Sequence, residues 1–313
     1  MKRKFPMLFI VLSMFLLLLQ ACSFLNATNK TQHAKEEEFK KTDYEKENYV
    51  RVQDYTGEGF KLRDSKEKNG EIARNQQEVV EKGVKDFFLK NYRTEVKINN
   101  IVSAVDGAVV YVESVKEPKF HTFAIVPVNS KNKTVSINRI WSLEGEVESS
   151  LATGLYVLAF QGEFQKLDNY LQDVVDNHPV VGMSEEMITN IGGEGYLSPY
   201  YFMSPFGDAY DQLVAEYLEN PEMSSEEVRD FLNNHSNELY KINITIELFM
   251  EDEYTSPDQQ ILDEVAANIE EMDGIPAGEY SIFIHDNYID KKRGVGFKEN
   301  TLERTNPNKI RKE

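Results

Sequence analysis

The sequence predicts an α+β protein: a helix and an antiparallel four-stranded meander in the first half, then a mixed α/β lobe with a strand-helix-strand unit. Three observations carry that expectation. Val79, Val80, Gly83, Val84, Phe87 and Phe88 recur at helical spacing and make one apolar stripe. β-Branched runs follow, separated by short turn sequences such as Asp106-Gly107. Later, Ile242, Ile244, Ile246 and Leu248 alternate, a helix follows, and a second strand begins at Gly278. That order implies a crossover with parallel pairing.

The chain has 313 residues, a net charge of −18, 41% apolar residues and one cysteine. The apolar share supports a real core. One cysteine excludes an internal disulfide framework and a cysteine-cluster zinc site. The acidic balance argues against a nucleic-acid partner, which requires a basic face.

Lys2, Arg3 and Lys4 precede an apolar run from Met7 to Leu19. As a helix this run would span about 20 Å, short of the roughly 30 Å hydrocarbon core. A basic start followed by a short apolar run is the pattern of a signal peptide. Leu19-Gln20-Ala21-Cys22 resembles a bacterial lipobox, with cleavage before Cys22 and a diacylglyceryl group on its sulfur. Two acyl chains hold a protein stably on a bilayer. Residues 1–21 carry three basic and no acidic residues, so losing them takes the charge from −18 to −21. Residues 22–49, rich in lysine and glutamate, read as a flexible tether with a reach of roughly 25–30 Å.

An α+β lobe is expected over residues 50–180. Asp54-Tyr55-Thr56-Gly57-Glu58-Gly59-Phe60 opens it as a turn or strand entry. A helix spans Glu71 to Tyr92. Strands follow over Val96–Val105, Ala108–Val115, Phe120–Val128 and Thr134–Trp141, the last with Val135, Ile137, Arg139 and Trp141 on one face. Helices over Gly145–Phe160 and Glu163–Asn177 close the lobe before His178-Pro179.

The second lobe is expected over residues 181–313, either packed against the first or sharing its sheet. Ser184 reads as a helix cap with Glu185 and Glu186 in the first turn. Ile191–Phe206 is rich in glycine and aromatics. Helices span Gly207–Leu218, Glu226–Asn234 and Pro257–Met272, strands span Ile242–Met250 and Gly278–His285, and a basic, loop-like tail begins at Asp286.

Candidates for chemistry are few. The five histidines are scattered, with no H-E-x-x-H spacing, so no metal site and no cofactor are expected. Gly192, Gly193, Glu194, Gly195 and Tyr196 form the most distinctive loop. It reads either as a binding loop with Glu194 in a site or, more commonly for such a run, as a tight turn before an aromatic strand. Tyr196, Tyr200, Tyr201, Phe202 and Phe206 offer a binding platform or simply core packing. His285 and Asp286 follow the last strand and are weak catalytic candidates beside the plainer reading, a solvated turn.

Several segments together resemble a family of unknown function from Gram-positive bacteria whose members read as lipoproteins. They are Asp54 to Phe60, Asp86-Phe87-Phe88-Leu89, Ile101 to Gly107, Ala124-Ile125-Val126-Pro127-Val128 and Leu302-Glu303-Arg304-Thr305. The resemblance runs from about Val52 to Lys309. It implies a lipid anchor and brings no activity, substrate or catalytic residue.

The expectation from sequence is a lipoprotein on the outer face of the cell membrane, anchored through Cys22, whose body is a non-catalytic module for an unknown envelope ligand or protein. Two alternatives stand beside it: an envelope hydrolase acting on sugar or peptide through carboxylates such as Glu194 or Asp286, and a solute-binding lipoprotein serving a transporter.

Overall fold

The computed structural model describes residues 42–235, 241–294 and 300–313. Leu19, Gln20, Ala21, Cys22 and most of the expected tether lie outside these. Tyr44 to Glu313 forms one compact unit.

The expected tether ends earlier than residue 49. Helix α1 (Asp43–Asn48) leads into β1 (Tyr49–Val50), which pairs with a strand 240 residues away. Tyr44 donates its hydroxyl to Asp290 at 2.9 Å, and Asn48 is buried. The segment has too little apolar surface to order itself, so it docks instead through aromatic and polar groups.

The helix expected over 71–92 is two helices, α2 (Glu67–Arg74) and α3 (Gln77–Tyr92). Gln76 leaves helical geometry between them (φ −118°, ψ 34°). Its side chain donates to the carbonyl of Ile72, which a continuous helix would have used itself. Val80, Val84 and Phe88 are fully buried, whereas Val79 faces solvent.

The meander is β2 (Val96–Ser103), β3 (Gly107–Ser114), β4 (His121–Asn129) and β5 (Thr134–Val135), antiparallel in that order. The first hairpin turns at Val105-Asp106, one residue before the expected pair, because Ala104 N–H bonds the carbonyl of Gly107. The fourth strand is far shorter than expected. After Val135 the chain enters a 3-10 turn, Ile137–Arg139, and touches β4 again only where Trp141 bridges Ile125. Ile137 is drawn toward α3 at Gly83, where a β-carbon would lie 2.9 Å from that of Ile137. One face of the sheet packs Val110, Val112, Ala124 and Val126 against α3. The other carries Val102, Val109, Tyr111 and Phe123.

Helices α4 (Glu146–Ala159) and α5 (Gln161–Asn177) come next, then β6 (Val180–Val181), α6 (Glu185–Ile191), β7 (Tyr201–Pro205), α7 (Asp208–Glu219) and α8 (Ser225–Asn234). Ser184 caps α6 by accepting from Met187 N–H, and Ser224 forms a capping box with Glu227. The chain ends with β8 (Ile242–Met250), α9 (Gln259–Glu271), β9 (Gly278–His285), β10 (Ile289–Asp290), β11 (Thr301–Arg304) and β12 (Ile310–Lys312). β8 and β9 pair in parallel, as the crossover requires. β6 and β7 flank β8, and β11 and β12 flank β9, all antiparallel.

The largest core lies on one face of this second sheet. Ile242, Ile244, Ile246 and Leu248 meet Leu151 and Leu155 of α4, Phe164 and Leu167 of α5, and further residues of α7, α8 and α9. The helices expected to close the first lobe therefore belong to the second sheet's core. The division expected near residue 180 falls inside that core, where Val180 and Val181 pair with Met250 and Phe249. The tail expected as a loop supplies three strands.

Candidate functional site

The best-formed concavity is a cleft of about 320 Å³ assembled from four segments: the loop Thr56–Lys61, helix α2, the outer edge of β2, and Asn190 of α6. Gly57 and Gly59 both take positive φ, +88° and +87°, which carries the loop over the cleft. Asn190 Nδ2 fastens it by donating to the carbonyl of Thr56 at 2.8 Å. Asn100 Nδ2 donates to the carbonyl of Asn190 at 3.0 Å, while its Oδ1 accepts from Ile101 N–H at 2.8 Å. On the facing wall Arg74 donates to the carbonyl of Ile101 at 3.1 Å and to Glu67 at 2.7 Å. Ser103 donates to the carbonyl of Glu67. The cleft is held in shape by its own hydrogen bonds. In sequence this loop has the pattern of a turn or strand entry, and its one local sign of a site is the pair of glycines around Glu58.

The other glycine loop is used differently. Gly192 N–H ends α6 by bonding the carbonyls of Ile188 and Met187. Gly195 (φ +96°) pairs with His121 of β4 through two backbone bonds of 2.8 and 2.9 Å. Tyr196 N–H donates to Thr153 Oγ1 at 2.7 Å. The loop is thus a strap between β4 and α4. Glu194 is an exposed residue, yet its carboxyl end lies against Glu146 in the first turn of α4. Burial of that carboxyl, then its hydrogen bond with Glu146 and repulsion from it, push Glu194 up to about 8.

Beside the strap is a second hollow of about 280 Å³, lined by Glu113, Lys119, His121 and Tyr196 among others. Strand register sets Lys97, Glu113 and His121 side by side across β2, β3 and β4. Lys97 bonds Glu113 at 3.0 Å, and His121 Nε2 lies 3.5 Å from the same carboxylate. Burial raises Glu113, but hydrogen bonds from Lys97 and Asn99 outweigh it and hold the carboxyl below its ordinary value. Burial lowers His121, partly offset by Glu113.

The aromatic stretch is core rather than platform. Tyr201 is fully buried, stacks with Tyr196 and Phe164, and donates to Asp168 at 2.8 Å. Phe206 alone of the five is strongly exposed, at 42%.

His285 and Asp286 lie in the interior, not in a solvated turn. His285 Nδ1 is 2.9 Å from Thr301 Oγ1, and the ring sits between Phe249 and Phe283. Burial pushes His285 down to about 4, and pushes Glu247, 4.0 Å away, up to about 7. The segment is buried because the amino-terminal strand closes over it. Asn287 accepts from Val52 N–H at 2.7 Å and donates to the carbonyl of Glu251 at 2.9 Å. Among the described residues no group of three or more His, Cys, Asp or Glu is placed to hold a metal ion, and no helix is long and apolar enough to cross a membrane.

The fold and the cleft define an α+β protein with a preformed polar recess at the edge of its smaller sheet. The chain belongs to the DUF1672 family, proteins of unknown function, whose sequence profile matches residues 42–312. The crystal structure of a DUF1672 family protein from Staphylococcus aureus subsp. aureus Mu50 is similar in fold, with a TM-score of 0.68 at 19% identity, over 82% of this chain and 96% of that one. Comparison with curated protein sequences finds no match. The resemblance read from the sequence holds as to family.

Proposed function

We propose that the protein is a lipoprotein, held on the outer face of the cell membrane by a diacylglyceryl group on Cys22, whose folded body is a non-catalytic binding module for an envelope ligand. The anchor rests on Leu19-Gln20-Ala21-Cys22 at the end of the apolar run. The binding role rests on one observation, the cleft between Thr56–Lys61 and β2. Its Glu67, Arg74 and Ser103 are already engaged in building the wall, as in a site shaped before its ligand arrives. The net charge of −18 favours a partner other than nucleic acid.

Cys22→Ala tests the anchor. The wild-type chain should take up labelled palmitate and sediment with membranes, and the variant should lose both properties. A processed variant that still sediments with membranes would overturn the anchor.

A second reading, an envelope hydrolase, is favoured by Glu194. A carboxyl pushed up to about 8 is protonated at neutral pH and suits a general acid. Release of sugar or peptide fragments from cell-wall material, abolished by Glu194→Gln, would establish that reading in place of the first.

A further inference from the structure

The cleft's chemistry narrows what it holds, and this step rests on the binding-module reading above. We infer that it takes a neutral, polyhydroxylated ligand, a saccharide unit of about disaccharide size. Four observations converge on that class.

The first is charge. The charged residues lining the cleft are Lys61 and Arg74 against Glu58 and Glu67, two of each sign. A phosphate or carboxylate ligand would meet two carboxylates, and a cationic ligand would meet an ammonium and a guanidinium. A neutral ligand meets neither penalty.

The second is the pairing of donors with acceptors. Arg74 and Glu67 are joined at 2.7 Å, so a guanidinium and a carboxylate lie side by side on one wall. Each hydroxyl of a sugar both donates and accepts. A vicinal diol can therefore give one hydrogen bond to the carboxylate and take one from the guanidinium.

The third observation excludes an extended peptide, the usual visitor to a sheet edge. β2 is the edge strand of its sheet. At Ile101, in the middle of the cleft, the edge is already closed by side chains: Arg74 takes the carbonyl and Asn100 takes the N–H. A peptide would have to displace both to pair with the strand.

The fourth is shape. About 320 Å³ is at the small end of ligand sites. Phe60 is among the lining residues and is fixed edge-on to Tyr111 with ring centroids 6.5 Å apart, so one rigid aromatic side chain stands in an otherwise polar lining.

The test is a titration of the full chain, solubilised in a sugar-free detergent and followed by saturation-transfer NMR and calorimetry. The neutral probes are diacetylchitobiose, cellobiose and maltose. The comparison probes are inorganic phosphate and an uncharged extended pentapeptide. At least one disaccharide is expected to bind with a millimolar Kd that is insensitive to added salt. Glu67→Gln should weaken it by about tenfold or more. Ser65→Trp should do the same by filling the mouth while leaving the wall's hydrogen bonds in place. Circular dichroism confirms that both variants fold. If phosphate or peptide binds instead and is lost in Ser65→Trp, the ligand class is wrong and the cleft stands. If disaccharide binding survives both variants, the cleft is wrong. If no probe binds, the inference falls.

Discussion

Gly-Glu-Gly occurs twice in this chain, at 57–59 and at 193–195, and the two copies do opposite things. The first arches over an open cleft with Glu58 in its lining. The second is pulled down as a strap, with Gly195 paired to β4 and Glu194 pressed against Glu146. Both copies use positive φ at their last glycine, +87° and +96°. What separates them is the partner. Asn190 holds the first loop at Thr56 and the carbonyl of Lys292 holds it at Lys61 N–H, both outside the tripeptide, whereas the backbone of His121 and the hydroxyl of Thr153 hold the second at Gly195 and the residue after it. A flexible tripeptide becomes a cleft wall or a fastening according to how much of its backbone is paired.

The sharpest way to break that comparison is to add one methyl group to each loop. In Gly195→Ala the new β-carbon would lie 2.8 Å from Thr153 Oγ1, the atom that accepts from Tyr196 N–H, on top of an unfavourable φ. A stability loss of about 3 kcal/mol is expected. In Gly59→Ala the nearest atom is the flexible Lys291 side chain at 3.5 Å, so only the φ penalty of about 1–2 kcal/mol applies. Urea denaturation measures both. Equal losses would mean that the strap is no more tightly held than the cleft loop.

Local pattern explains how far the sequence could be read. β8 and β9 have the bounds expected, Ile242–Met250 and Gly278–His285, because strict alternation and a buried face leave one register. The cap at Ser184 was legible for a similar reason: capping is a contact between near neighbours. The failures involve distant partners. Nothing near Asp286 announces that Val52 will donate to Asn287, and nothing near Val135 announces that Ile137 will turn toward Gly83. The cleft is the extreme case. Arg74, Asn100 and Asn190 are unremarkable in their own segments and become a site only when the fold brings those segments together with the loop Thr56–Lys61. The sequence drew the eye to the glycines at 192–195, which turned out to be the fastened copy.

A second test sharpens the role of Asn100, which links the cleft loop to the edge strand. Asn100→Ala leaves Ile101 N–H without its acceptor and Asn190 without its donor. About 1–2 kcal/mol should be lost. The reopened edge should also promote pairing between copies, seen as a concentration-dependent rise in light scattering. A variant that stays fully monodisperse would show that α2 alone protects the edge.

The smallest expected effect concerns the strap's glutamate and depends on pH. Glu194 titrates near its ordinary value of 4.5 when unfolded and near 8 when folded. Between those values the folded state holds the extra proton, so stability declines as pH rises from about 4.5, and the decline is complete above about 8. Glu146 faces Glu194 from α4, and Tyr111, pushed up to about 12 by burial and by Glu194, faces it from β3. Neither supplies a positive charge to relieve the repulsion. Because Glu194 is an exposed residue, solvent screens much of the effect, and about 1 kcal/mol is the reasonable size. Glu194→Gln should match the wild type at pH 4 and exceed it by that amount at pH 9, since an amide can still donate to Glu146 without ionising. Glu58→Gln, on the copy that lines the cleft, should shift stability by less than about 0.5 kcal/mol at either pH. Parallel stability curves for wild type and Glu194→Gln across pH 4–9 would show that the fold does not raise Glu194, and that the strap is held by Gly195 and Tyr196 alone.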